Sequence, residues 1–166
     1  MQNSLSEVEL PEETSQNRRA VRQYLKQHYR NMKLIVLERD SNTGKTTTIG
    51  LLYEKLLNNG GASTNKQPLG GGPNDFSDIV INYKSLKIAI FTMGDYSTAI
   101  SKAIVHYDNL GCDFFICSLS KGKYKVRANN QINNYPNIKI QKTISSQSIS
   151  EIQANDNDAY QIFSMI

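Results

Sequence analysis

Lys33-Leu-Ile-Val-Leu-Glu-Arg-Asp-Ser-Asn-Thr-Gly-Lys-Thr-Thr-Thr-Ile49 is the stretch on which the fold turns. Its hydrophobic period changes twice. Leu34–Leu37 is a short apolar run rich in β-formers and reads as a strand. Arg39 to Gly44 is polar, and beyond it Ile49, Leu52, Tyr53 and Leu56 recur at three- and four-residue steps, the buried stripe of a helix. Asn58–Gly61 supplies the residues that usually end one. A strand leading through a polar loop directly into a helix is the opening unit of an α/β fold.

Working downstream, residues 59–75 hold five of the ten glycines and two of the four prolines, which predicts a long mobile loop. Asp78–Tyr83 and Leu86–Met93 read as strands separated only by Lys84 and Ser85, too short a link for a parallel crossover, so they form an antiparallel hairpin. Gly94-Asp95 ends the second of them. A helix from about Tyr96 carries Ala99, Ile100, Ala103, Ile104, Tyr107 and Leu110 on one face. Asp113–Ser118 is apolar throughout its core and suits a central strand covered on both sides. Residues 119–136 read as loop plus a short helix, Ile138–Ile144 as a strand, and Ser148 as the cap of a last helix interrupted at Asn155–Asp158. Alternating strands and helices around a buried strand predict a three-layer α/β/α sandwich with a mostly parallel sheet.

Upstream, residues 1–14 contain Glu7, Glu9, Glu12 and Glu13 and no base, an acidic flexible tail without the apolar core of a signal peptide. Residues 15–33 reverse the charge: Arg18, Arg19, Arg22, Lys26, Arg30 and Lys33 lie on a pattern with an apolar stripe, a basic amphipathic helix. Residues 15–166 are then one domain, as expected for this length. With 39% hydrophobic and 20% charged residues the chain is outside the disordered class. No run approaches the length of a membrane span, which points to a cytoplasmic protein with no membrane partner. Cys112 and Cys117 fit no zinc pattern and are read as unpaired buried thiols, their odd spacing sending them to opposite faces of a strand. The formal charge is +4, from 19 Lys and Arg against 15 Asp and Glu. Nucleic acid is a conceivable partner only through the basic helix, which reads better as a solvated face.

The segment between strand and helix carries the chemistry. Gly44-Lys45-Thr46 resembles the G-K-[ST] end of the phosphate-binding loop of P-loop nucleoside triphosphatases and kinases, in the strand-loop-helix order that loop requires. Arg39 stands where the pattern asks for its first glycine, and Asp40 adds negative charge beside it. The resemblance implies backbone amides of Ser41, Asn42, Thr43, Gly44, Lys45, Thr46 and Thr47 around phosphate oxygens. It implies Lys45 on the terminal phosphates as the catalytic charge, and Thr46 with Asp95 on Mg²⁺. Asp95 is chosen because it follows an apolar strand; capping the helix that begins at Tyr96 is its competing role. Lys121, Lys123, Lys125 and Arg127 form a basic stretch at the same sheet edge, a candidate phosphate lid.

The resulting expectation is a domain that binds a nucleoside triphosphate with Mg²⁺, ATP ahead of GTP because no N-K-x-D for guanine occurs. As an enzyme it would be an NTP hydrolase or a kinase of a small-molecule acceptor. The alternatives are a non-catalytic nucleotide-sensing module and a nucleic-acid or protein interaction domain on a degenerate P-loop scaffold.

Overall fold

A computed structural model describes residues 32–166, so the acidic tail and nearly all of the basic helix lie outside the described residues. Met32 and Lys33, read as the end of that helix, instead lead into the sheet. Met32 is 1% exposed, and Lys33 is the first residue of strand β1, Lys33–Arg39.

After β1 come helix α1 (Lys45–Asn58), two short strands β2 (Ala62–Ser63) and β3 (Gln67–Pro68), then β4 (Phe76–Ile81) and β5 (Ile88–Phe91). Helix α2 (Ser97–Asn109), strand β6 (Phe114–Ser120), helix α3 (Val126–Asn133), strand β7 (Asn137–Gln141) and helix α4 (Glu151–Phe163) complete the order. The seven strands form a mixed sheet in the order β2-β4-β5-β6-β1-β7, with β3 also on β4. Pairings β5–β6, β6–β1 and β1–β7 are parallel, whereas β4 runs antiparallel to β5, β2 and β3. The expected α/β class and the hairpin are observed. The sheet is less uniformly parallel than expected, because the glycine-rich segment adds strands of its own.

Side-chain alternation along β1 places the helices. Leu34 and Val36 join a cluster with Phe115 and Cys117 of β6, Ile100 and Ile104 of α2, and Ala128 and Ile132 of α3. Ile35 and Leu37 point into a second cluster with Ile116, Ile49, Leu52 and Leu56 of α1, and Ile162 of α4. Successive residues of a strand face opposite sides, so a strand apolar at every position must be covered on both. Full burial of each such side chain contributes about 1.5–3 kcal/mol. Among the described residues no helix is long and apolar enough to cross a membrane.

Three local readings change. Residues 59–75 are not an unsupported loop. Ser63 pairs with Val80 and Gln67 with Ser77 in the sheet, and the Asp78 carboxylate, 3% exposed, ties the segment down. That carboxylate accepts hydrogen bonds from Tyr53 Oη (2.9 Å), the Asn65 amide (2.9 Å) and the Ser63 hydroxyl. The last helix is capped by Ser150, not Ser148: the Ser150 hydroxyl accepts from the Gln153 amide and the Gln153 side chain accepts from the Ser150 amide, a reciprocal capping box. Asn155 and Asp158 do not interrupt that helix, because each is buried with a partner. Asp158 forms an ion pair with Lys142 at 2.9 Å and accepts from the Thr143 amide and hydroxyl. Cys112 and Cys117 are free and buried, as expected, but Cys112 precedes β6 and both pack into the same cluster.

Candidate functional site

Parallel strands β1 and β6 end level, Arg39 opposite Ser120, and their parallel neighbour β5 stops three residues short, Phe91 opposite Cys117. Because β4 is antiparallel, with Ser77 opposite Phe91, its amino end reaches that same edge and brings Asp75 with it. The carboxyl edge of a parallel sheet is where open α/β folds gather ligands. A cavity of about 360 Å³ opens there, lined by the Asn42–Thr47 loop, the Gly71–Asp75 loop, Thr92, Gly94, Asp95, Ser118, Ser120 and Glu151.

The loop between β1 and α1 is shaped by two left-handed residues, Asn42 (φ 60°) and Gly44 (φ 81°). Gly44 meets a second constraint. A Cβ on it would lie 2.8 Å from Asn155 Oδ1 of α4, so a side chain here would strain the backbone and displace the Asn155 amide. The first intrahelical bond runs from the Thr48 amide to the Gly44 carbonyl (2.9 Å), and no side chain caps the turn before it. The amides of Lys45, Thr46 and Thr47 therefore lie at the positive end of α1 without an acceptor inside the helix.

Lys45 is 6% exposed, and its ammonium is gathered into the loop. Nζ donates to the carbonyls of Asp40 (2.5 Å) and Arg39 (3.2 Å) and approaches the Thr43 hydroxyl (3.5 Å). Burial pushes its pKa down, opposed by the Asp95 and Asp40 carboxylates and assisted by the nearby Lys125 ammonium. Arg39, at the position of the missing first glycine, closes β1, where its carbonyl also accepts from the Lys121 amide at 3.0 Å. Its carbonyl thus ties both the Lys45 ammonium and the Lys121 amide to the end of β1.

Asp95 does not cap α2. The cap residue is Tyr96, with no side-chain cap bond, and the Asp95 carboxylate faces the loop between β1 and α1 instead. Its Oδ1 accepts from Ser41 Oγ at 3.0 Å. The Ser120 hydroxyl bond is the leading cause of its lowered pKa; burial opposes this, and Ser41, Lys125 and Lys45 reinforce it. Gly94 makes the placement possible, since a Cβ there would fall 2.5 Å from Ser118 Oγ and force the chain away from β6.

Thr46 finds a different carboxylate from the one expected. Its Oγ1 donates to Asp75 Oδ1 at 3.0 Å, and Thr92 Oγ1 approaches the same oxygen at 3.2 Å. Asp75 carries no sequence motif. The one clue is that it immediately precedes an antiparallel strand, and starting that strand at Asp78 hid it. Glu151 and Asn155 were also missed, because their contribution requires α4 to pack beside α1; Asn155 Oδ1 accepts from Thr48 Oγ1 at 3.2 Å.

Of the basic stretch after β6, Lys125 alone turns inward. It is 8% exposed and donates to the Asp95 carbonyl. The candidate lid residues Lys121, Lys123 and Arg127 are exposed and do not line the cavity. Lys121 bonds Gln141 Oε1, Lys123 lies over the Tyr124 ring, and Arg127 borders a separate groove beside Ser101.

The charged residues lining the cavity are Lys45 against Asp75, Asp95 and Glu151. The Thr46 hydroxyl and the two carboxylates Asp75 and Asp95 are hard oxygen donors of the kind Mg²⁺ takes alongside phosphate oxygens and water. Among the described residues no group of three or more His, Cys, Asp and Glu side chains forms a metal cage. Comparison with protein-family models, with curated proteins and with solved structures finds no match to this chain.

Proposed function

We propose that this chain is a P-loop domain, a three-layer α/β/α sandwich whose cavity binds the phosphate chain of a nucleoside triphosphate together with Mg²⁺. The observation that carries the reading is the junction at Gly44. A left-handed glycine there turns a parallel strand into a helix whose first amides, Lys45 ammonium and Thr46 hydroxyl share one cavity with Asp75 and Asp95. The amides of Lys45–Thr47 hold phosphate oxygens at the positive end of α1. Lys45 exchanges its bonds to the Arg39 and Asp40 carbonyls for bonds to the terminal phosphates, and Lys125 adds positive charge from behind Asp95.

Mg²⁺ fits the Thr46, Asp75 and Asp95 oxygens and would supply charge neutralisation on the phosphates. The excess of acid in the lining makes that neutralisation necessary, because three carboxylates facing a phosphate chain would otherwise repel it. With a loaded site the activity is γ-phosphate hydrolysis or transfer to a small acceptor, with Lys45 and the loop amides stabilising charge on the moving group. ATP is placed ahead of GTP for want of a guanine-reading motif. The cytoplasm is the compartment this reading assigns, and the two free thiols suit its reducing conditions.

Calorimetric titration of ATP and of GTP, each with and without Mg²⁺, into the wild type and Lys45→Ala tests the reading. Micromolar binding that needs Mg²⁺ and falls at least tenfold in Lys45→Ala is the expected result. Absence of heat and of thermal stabilisation at millimolar nucleotide would overturn it. Binding without turnover would select the nucleotide-sensing alternative, which the Arg39 replacement favours.

A further inference from the structure

A second groove, of about 600 Å³, begins where the phosphate cavity stops. The two share Thr46, Thr47, Pro73, Asn74 and Asp75 as a common wall. From there the groove follows the outer side of α1 past Gly50, Leu51 and Glu54, with Lys66, Pro68 and Phe76 on the opposite bank. Its lining is therefore mixed: apolar surface from Leu51, Pro68 and Phe76, and charges at Glu54, at Lys66 and, on the shared wall, at Asp75.

Lys66, an exposed residue, is the cationic feature of this groove. Its ammonium lies 4.5 Å from the centroid of the Tyr53 ring and 4.2 Å from that of Phe76, and those two rings pack edge to face at 5.1 Å. Cation–π contact with two buried rings restrains a side chain that would otherwise roam. The backbone beneath it is restrained as well, since the Asn65 amide donates to Asp78 Oδ1 at 2.9 Å and Gln67 pairs with Ser77. A lysine fixed at one end of a part-apolar groove, whose other end is the wall of a phosphate site, has the layout of a subsite for a small organic anion.

We propose that this groove is the acceptor subsite: it takes a small molecule with an apolar body and one carboxylate, the carboxylate on Lys66 and the receiving group toward the Thr46–Asp75 wall. This rests on the phosphate reading of the neighbouring cavity. One anion is favoured over two, because Glu54 and the Asp75 wall repel a second negative charge on the same ligand.

Benzoate serves as the probe and neutral benzamide as its isostere, titrated into the ¹⁵N-labelled full chain with and without saturating Mg-ADP, while calorimetry follows Mg-ATP binding separately. The expected result is saturable benzoate shifts at Gly50, Leu51, Lys66 and Phe76. These shifts should be at least fivefold weaker in affinity for benzamide, lost in Lys66→Met, retained in Lys66→Arg, and altered in affinity by Mg-ADP through the shared wall. Lys66→Met should leave Mg-ATP affinity within twofold of wild type. Equal binding of benzamide, or undiminished benzoate binding in Lys66→Met, would overturn the subsite even if Mg-ATP binds normally. Benzoate binding in a protein that binds no nucleotide would leave an anion groove and overturn its acceptor role. Indifference of benzoate affinity to Mg-ADP would do the same.

Discussion

Two loops meet at the cavity, and they are held by opposite means. The loop between β1 and α1 is organised from within: Asn42 and Gly44 turn the backbone, and the Lys45 ammonium gathers the Arg39 and Asp40 carbonyls. The segment from Asn59 to Asp75 has glycines and prolines, and its internal ties, Leu69 to Asp75, Asp75 to Gly72 and Gln67 to Asn65, are local ones. It is held from outside, by the sheet and by the Asp78 carboxylate buried beneath it. Each delivers one half of the Thr46–Asp75 contact. A loop's order is thus not a property of its composition alone. Five hydrogen-bond donors converging on Asp78 constrain a glycine-rich segment that would otherwise be free.

Removing the external anchor should have the largest effect. Asp78→Ala leaves the Tyr53 hydroxyl and the Asn65 amide without their acceptor, and we expect a loss of about 3 kcal/mol in unfolding free energy. Proteolysis should then begin within residues 60–75. Acid sharpens the same point. Burial pushes the Asp78 carboxyl up, but its bonds from Ser63, Asn65, Tyr53 and Ile79 together outweigh this, so its folded pKa lies below its unfolded value. Stability from this group is accordingly present above the unfolded pKa and lost as pH falls through the folded one. Below about pH 4 the wild type should lose stability more steeply than Asp78→Asn in denaturant melts. A glycine-rich segment that stays protease-resistant in Asp78→Ala would break the comparison.

Disturbing the internally organised loop should cost less stability and more binding. Gly44→Ala forces a side chain into left-handed backbone, at about 1–2 kcal/mol, and against Asn155. Melting should register that cost, and calorimetry should find Mg-ATP affinity reduced more than tenfold. Wild-type affinity in this variant would remove Gly44 from the site.

The smallest contrast separates the inward lysine from its neighbours. Lys125→Ala should weaken Mg-ATP binding by roughly tenfold, the scale of one charge-assisted contact. The triple change Lys121→Ala, Lys123→Ala and Arg127→Ala should move it less than twofold at physiological salt, where exposed charges are screened. A larger effect of the triple variant would restore the basic stretch as a phosphate lid.

Local periodicity was enough to identify β1, α1 and β6, because an apolar side chain must be covered wherever it recurs on one face. The buried Ile49, Leu52, Tyr53 and Leu56 follow from that rule. It also offered Asp95, since an acid just past an apolar strand falls at the ligand edge, but left capping of the following helix as its competing role. It could not reach Asp75, Asn155 or the inward turn of Lys125. Their roles depend on which strand runs antiparallel and which helices become neighbours.

What the sequence determined by itself is the βα junction: the apolar run, the flexible glycine, and the Lys45-Thr46 pair that follows it within one turn. These are short-range consequences of backbone freedom and hydrophobic period, legible without any partner. The tertiary structure alone decided the rest. It set Asp75 against Thr46 at the start of an antiparallel strand and wedged Asn155 over Gly44, and it turned one of the four cations of residues 121–127 toward Asp95. Contacts between residues far apart in the chain arise only when sheet order and helix packing bring them together, because burial and hydrogen-bond satisfaction act on the whole fold at once.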